Sequence, residues 1–173
     1  MLLDKILVNP YGSVMTSTNK ENRILHLVDL ENLSGGSLCS PAAVASTASD
    51  YMSLFCQTGS ELYVLATSCG NAPVAFFGWP TPAQRLMRSG ENGADLALLE
   101  AYTPLEIAFR FKRVVIGSGD GIFADLTLQL CDLGCAVTVV SRSDALSNRL
   151  KLAASEIVLL PDLVPEEQTH HAA

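Results

Sequence analysis

The stretch Ile24-Leu25-His26-Leu27-Val28-Asp29-Leu30-Glu31-Asn32-Leu33 decides the fold class. Its first half, Ile24–Val28, is a near-continuous apolar run, too short for a helix and lacking the alternation of a half-exposed strand. Such a run fits a strand buried on both faces. The same pattern returns at Leu62–Ala66, Val74–Phe77, Val114–Ile116, Val137–Val140 and Ile157–Leu160. Helix signals lie between these runs. Ser40-Pro41 places a capping hydroxyl before a proline that the first turn tolerates. Thr81-Pro82-Ala83-Gln84 and Thr103-Pro104-Leu105-Glu106 both read as capping boxes. From Gly121 to Leu133, Phe123, Leu126, Leu130 and Leu133 recur at helical spacing as one apolar stripe, and Gly134 ends the helix. Strands alternating with helices predict a single α/β domain, with a mainly parallel sheet covered on both sides.

Composition supports a packed domain. The chain has 173 residues, 49% of them hydrophobic, enough apolar surface to offset chain entropy. Its formal net charge of −7 provides no global field to attract nucleic acid. The uncharged stretch Leu62–Gln84 has the length of a membrane span, but it carries Gly70, Asn71, Pro73, Gly78, Pro80 and Pro82, which a spanning helix would not combine. Met1–Val8 contains Asp4 and Lys5 and has no cleavage site, so neither a signal peptide nor a membrane segment is expected. Five cysteines (Cys39, Cys56, Cys69, Cys131 and Cys135) show no ligand spacing and are an odd number. They read as small buried apolar residues in a reducing cytoplasm, not as a zinc site or disulfide framework. His26 is expected in the core or at an edge, and His170 and His171 in a flexible polar tail. No internal repeat is present.

In a parallel sheet, ligands bind outside the carboxyl ends of the strands. The residues leaving the strands there are acidic. Asp29 follows the first run, and Asp120 follows Val115-Ile116-Gly117-Ser118-Gly119. Asp95 opens a helix after Gly90-Glu91-Asn92-Gly93-Ala94, and at helical spacing it shares a face with Leu98, Leu99 and Tyr102. A carboxylate on a packing stripe is costly unless something satisfies it, and a hard divalent cation would. Singly, each aspartate reads as a turn former or helix cap. Together they point to metal-assisted phosphodiester hydrolysis, with the ion itself attracting the phosphate.

The ordered motifs Val28-Asp29-Leu30-Glu31-Asn32-Leu33, Gly93-Ala94-Asp95-Leu96-Ala97-Leu98 and Val115-Ile116-Gly117-Ser118-Gly119-Asp120-Gly121-Ile122-Phe123 resemble the NYN domains, a branch of the PIN-like nucleases. The likeness continues through Leu133–Val140 and Ala145–Leu150. It implies a PIN-like, Rossmann-like three-layer α/β/α sandwich with a central parallel sheet of order 3-2-1-4-5. It also implies a ribonuclease dependent on Mg2+ or Mn2+. Asp29, Asp95 and Asp120 match the family's acidic positions and would be the metal ligands. Asn32 matches the polar residue supporting the first acid, and Ser118 a small hydroxyl before the last. Where the family commonly carries a further acid, this chain has Ile122. Asp125, on the following helix, would point away from Asp120 and is no replacement.

Among basic residues, Arg142 follows the fifth apolar strand and is the leading phosphate-contact candidate. Arg85, Arg88, Arg149 and Lys151 read as solvated surface. Trp79 is a candidate for base stacking, with core burial the favoured role. The expected organisation is an N-terminal extension over 1–22, the NYN/PIN-like domain over 23–160 and a polar tail over 161–173. The leading function is metal-dependent RNA hydrolysis, with RNA bound poorly when metal is absent. The competing reading is a binding or adaptor protein that keeps the fold without turnover, favoured by Ile122. A nucleotide-binding domain using Gly117-Ser118-Gly119-Asp120-Gly121 ranks lower, because the final glycine of GxGxxG and a Walker lysine are missing. A phosphoacceptor receiver domain would need a lysine where Arg142 stands. The apolar fraction leaves room for a homo-oligomer or a protein partner.

Overall fold

The central strand, β1 (Ile24–Asp29), is buried along its whole length, as its unbroken apolar run requires. The computed structural model describes residues 22–36, 39–55 and 59–163. After β1 come α1 (Leu30–Leu33), α2 (Pro41–Ser53), β2 (Glu61–Thr67), α3 (Ala72–Gly78), β3 (Gln84–Met87), α4 (Gly93–Ala101) and α5 (Pro104–Arg110). Then follow β4 (Arg113–Gly117), a 3-10 turn at Gly121–Phe123, α6 (Ala124–Asp132), β5 (Ala136–Ser141), α7 (Asn148–Ala153) and β6 (Glu156–Leu159). The six strands form one sheet in the order β3-β2-β1-β4-β5-β6, every neighbouring pair parallel. The expected order is therefore present, with β6 added beyond β5. The architecture is a three-layer α/β/α fold.

Alternation along each strand divides the core in two. Leu25, Leu27, Val64, Ala66, Val114, Ile116, Val137 and Val139 pack against α4, α5, α6 and α7 through Leu98, Ile107, Leu130 and Leu150. Ile24, Val28, Tyr63, Leu65, Val115 and Val140 pack against α1, α2 and α3 through Leu33, Tyr51 and Ala75. Asp29, two residues beyond Leu27, continues the α4 side of β1.

Most of the expected caps are present. The Ser40 hydroxyl accepts from Ala43 N–H, and Thr103 and Glu106 form the reciprocal capping box that opens α5. Gly134 takes φ +83° just past α6, where only glycine is free of strain. Leu133, expected on the α6 stripe, is 41% exposed. It falls beyond the helix, after its last full turn.

The third strand is a correction. Val74–Phe77 lies inside α3, and the strand is Gln84–Met87, in the segment expected to start a helix. A short apolar run cannot be separated from a buried helical segment by periodicity alone, and Pro73 sits in the first turn of α3. β3 is an edge strand paired only with β2, so Gln84 and Arg85 are exposed and no apolar run marks it.

No helix among the described residues is long and apolar enough to cross a membrane. Cys39 and Cys135 are buried as expected, whereas Cys69 is exposed and Cys131 half-buried. Cys56, the expected N-terminal extension apart from Asn22, and the tail beyond Leu163 with His170 and His171 lie outside the described residues.

Candidate functional site

At the carboxyl edge of the sheet, β1 ends in Asp29, which also caps α1. Its Oδ1 accepts from the backbone N–H of Glu31 at 3.0 Å and of Asn32 at 3.2 Å. The capping role read for a lone aspartate is therefore real, but it uses only part of the carboxyl. The rest faces the charge of Asp95, from the first turn of α4. Asp29 is 5% exposed and Asp95 7%. One Asp95 oxygen, Oδ1, is buried without any hydrogen-bond partner.

Burial, followed by the neighbouring Asp95 charge, pushes Asp29 up to about 8. Burial also raises Asp95, and the nearby charges of Asp120 and Glu31 add to it. The pair thus holds a proton at neutral pH.

Asp120 arrives from the β4 end. It is half-buried, and its Oδ1 accepts from Ile122 N–H at 2.9 Å, capping the 3-10 turn. Its charge reaches Asp95, so the three aspartates predicted from sequence come to one edge of the sheet. They do not close on a single point. Among the described residues, no group of three His, Cys, Asp or Glu side chains is placed to hold a metal ion together.

Two side chains tie the strand ends that carry these acids. Asn32 Oδ1 accepts from Gly119 N–H at 2.8 Å, joining the turn after β1 to the loop after β4. Glu31 Oε1 joins β1 to β2. It accepts from Thr67 Oγ1 at 3.0 Å, Ser68 N–H at 2.9 Å, Asn71 Nδ2 at 2.6 Å and the Ser68 hydroxyl. Burial pushes the Glu31 carboxyl up, but these hydrogen bonds outweigh it and hold the group below its usual range. Nothing in the sequence marks Glu31 for this role on its own. The polar cluster Thr67-Ser68 and Asn71, straight after an apolar strand, was the available signal.

Ser118 is fully buried, and its hydroxyl accepts from Asp120 N–H at 3.2 Å. Three amides of the glycine loop are therefore engaged internally: Gly119 by Asn32, Asp120 by Ser118, and Ile122 by Asp120. A phosphate cradle needs such amides open, so the nucleotide-loop reading loses these three donors. A Cβ at Gly119 would run into the Ala145 carbonyl and the Ser141 hydroxyl, which explains the glycine by packing.

Arg142 is a correction. Its side chain is 4% exposed, and its guanidinium donates to Leu33 O at 2.6 Å, Thr47 Oγ1 at 2.9 Å and the Pro161 carbonyl. It ties α1, α2 and the segment after β6 together and is spent on that task. Arg88 pairs with Glu100 and Arg149 with Asp125, both on the surface. Arg85 donates to the Phe76 carbonyl at 3.4 Å. Trp79 is 3% exposed within an aromatic group including Tyr51 and Tyr63, so it stacks no base. Ile122 packs against the α4-side core.

Comparison with known proteins adds the fold. A protein of unknown function from Vibrio parahaemolyticus superposes with a TM-score of 0.57 at 20% identity, covering 84% of this chain and 96% of that one. The MAR1 ribonuclease of Caenorhabditis elegans aligns with a TM-score of 0.46 at 15% identity, covering 82% and 78%. No protein-family model and no curated protein matches the chain. At such identity, the likeness to the Vibrio protein speaks for a shared architecture.

Proposed function

We infer that the chain is a metal-dependent ribonuclease, cutting RNA phosphodiester bonds at the carboxyl edge of its sheet. The observation that carries this reading is the buried Asp29–Asp95 pair with its unpartnered oxygen, facing the charge of Asp120. Magnesium and manganese prefer oxygen ligands. Magnesium keeps several waters and is usually held by one or two carboxylates plus substrate phosphates. The donor set fits that requirement without a closed three-acid cage. Asp29 and Asp95 would hold the ion, with Asp120 beside them.

When bound, such an ion polarises the phosphoryl group and acidifies water. The chain's own residues prepare the place. Burial and the Asp95 charge favour the protonated form of Asp29, and a cation held by Asp29 and Asp95 would take the place of that proton. Asn32 and Glu31 lock the β4 and β2 ends to β1, so that acids from three elements keep their spacing. Ser118 fixes the backbone from which Asp120 projects. RNA as the substrate class is supported by the motif resemblance. With a net charge of −7 and Arg142 spent internally, strand binding depends on the metal.

A second reading has its own observation. Ile122 puts a core-packed apolar side chain where the resembled family commonly has an acid, which favours a binding or adaptor protein without turnover. Incubating wild type and Asp120→Asn with single-stranded and structured RNA, in manganese, magnesium or EDTA, separates the two. Metal-dependent cleavage lost in the variant supports the nuclease; equal background in both promotes the adaptor.

A further inference from the structure

A groove of about 530 Å³ lies between α3 and the edge strand β3, lined by Cys69, Pro73, Phe76, Phe77, Arg85 and Met87. The helix α3 turns Ala72 and Ala75 into the core and leaves Phe76 half-buried and Phe77 92% exposed. Met87, from β3, is 63% exposed. Single apolar residues scattered over a surface mean little, but these share one groove, and contiguous apolar patches mark binding sites.

Arg85 adds a charge to this surface. Its guanidinium lies 6.0 Å from the centre of the Phe76 ring and donates to the Phe76 carbonyl at 3.4 Å. Arg88 and Arg149 are held in ion pairs, whereas Arg85 is paired with no carboxylate among the described residues. Aromatic rings beside an uncompensated guanidinium are the chemistry of a platform for single-stranded nucleic acid, where bases stack on the rings and the cation meets a phosphate. An apolar protein segment would use the rings and leave the Arg85 charge unanswered.

The groove also continues the aspartate centre along the sheet. Met87 stands opposite Thr67 in the β2–β3 ladder, and the Thr67 hydroxyl donates to Glu31 in the turn after Asp29. Cys69 directly follows Ser68, whose N–H donates to the same carboxylate. Neighbouring strands lie about 4.8 Å apart, which puts β3 roughly 10 Å from β1. A chain that leaves Asp29 along the carboxyl edge passes the end of β2 and enters the groove at Met87.

We propose that this groove is a stacking subsite for single-stranded RNA, in which Phe77 takes the face of a base and Arg85 the phosphate beside it. The choice of RNA and of its path rests on the ribonuclease reading; the stacking chemistry does not.

The test measures fluorescence anisotropy of a labelled phosphorothioate oligoadenylate, which resists cleavage, with the full chain in Mn2+. Phe77→Ala is expected to bind roughly tenfold more weakly, the loss of one stacked base. Its thermal unfolding should be unchanged, because the side chain is exposed. Phe77→Tyr should bind like wild type, and Phe77→Leu like Phe77→Ala. Arg85→Gln should reduce the slope of log affinity against log salt by roughly 0.7, the value of one phosphate contact. Wild-type affinity in Phe77→Ala, equal rescue by Leu and Tyr, an unchanged salt slope in Arg85→Gln, or no binding by the wild type overturns the subsite. So does a wild-type dimer, seen by sedimentation, that Phe77→Ala dissociates without loss of RNA affinity, since the groove is then a contact between copies. Cleavage of unmodified oligoadenylate is followed in parallel. Metal-dependent cleavage with no effect of Phe77→Ala on binding rejects the subsite and keeps the nuclease. Binding that needs the aromatic ring, without any cleavage, keeps the subsite and rejects the nuclease.

Discussion

Asp29, at the end of β1, is buried within electrostatic reach of the buried Asp95, in the first turn of α4, and one Asp95 oxygen has no hydrogen-bond partner. Folding brings together two acids that both prefer to be ionised in water. Because the folded pKa of Asp29 lies above its unfolded value, the folded chain binds the extra proton. The associated stability is complete below about pH 4 and is lost as pH rises through about 8.

Asp29→Asn removes that titration. At about pH 9, without metal, the variant is expected to resist urea better than wild type by a few kcal/mol, and near pH 4 the gain should vanish. An equal difference at both pH values would mean that the pair carries no proton.

His26 supplies a dependence of opposite sign. It is fully buried, with Nδ1 bonded to Tyr51 Oη at 3.0 Å, its ring stacked on Tyr63 and its Nε2 unpartnered. Burial lowers its pKa to about 4, a shift that the Glu61 charge opposes and the Arg113 charge reinforces. The neutral ring therefore contributes stability that is present above pH 6.5 and lost as pH falls through about 4. His26→Phe should flatten this acid limb relative to wild type in urea unfolding at several pH values. Parallel curves for the two proteins would contradict it.

Arg142 is expected to act on the fold. Arg142→Ala takes one donor each from the Leu33 and Pro161 carbonyls and from Thr47 Oγ1, for a loss of roughly 1–3 kcal/mol in chemical denaturation, although Thr47 Oγ1 still donates to Leu33. A variant of wild-type stability that had lost only its affinity for RNA would restore the phosphate-contact role.

Asn32→Ala deprives Gly119 N–H of its acceptor and removes the tie between the turn after β1 and the loop after β4. The buried amide costs roughly 1–3 kcal/mol. RNA cleavage should fall further than this loss of stability accounts for, because Asp29 and Asp120 lose their common spacing. Cleavage at wild-type rate by the folded variant would remove Asn32 from the site.

Much of the layout was readable because it follows from one-dimensional patterns. Runs buried on both faces marked the interior strands, and Ser40, Thr103 and Gly134 marked helix ends. β3 was not readable, since an edge strand has no need of apolar residues on both faces, and α3 hides a strand-like run behind Pro73. The aspartates were readable as strand-end residues. That the Asp95 charge reaches Asp29, while Asp120 caps its own turn nearby, depends on how α4 docks on β1. Arg142 failed for a related reason: its position beyond a strand was correct, but the buried carbonyls that claim its guanidinium come from distant parts of the chain.

The central claim is that Asp29 and Asp95 form a cation site in which the ion takes the place of a proton. Calorimetric titration of wild type and Asp95→Asn with Mn2+ near pH 7, in two buffers of different ionisation enthalpy, tests it most directly. The account predicts saturable binding to wild type with release of about one proton, and loss of both in the variant. Binding that persists unchanged in Asp95→Asn, or that occurs in wild type with no proton released, would contradict it.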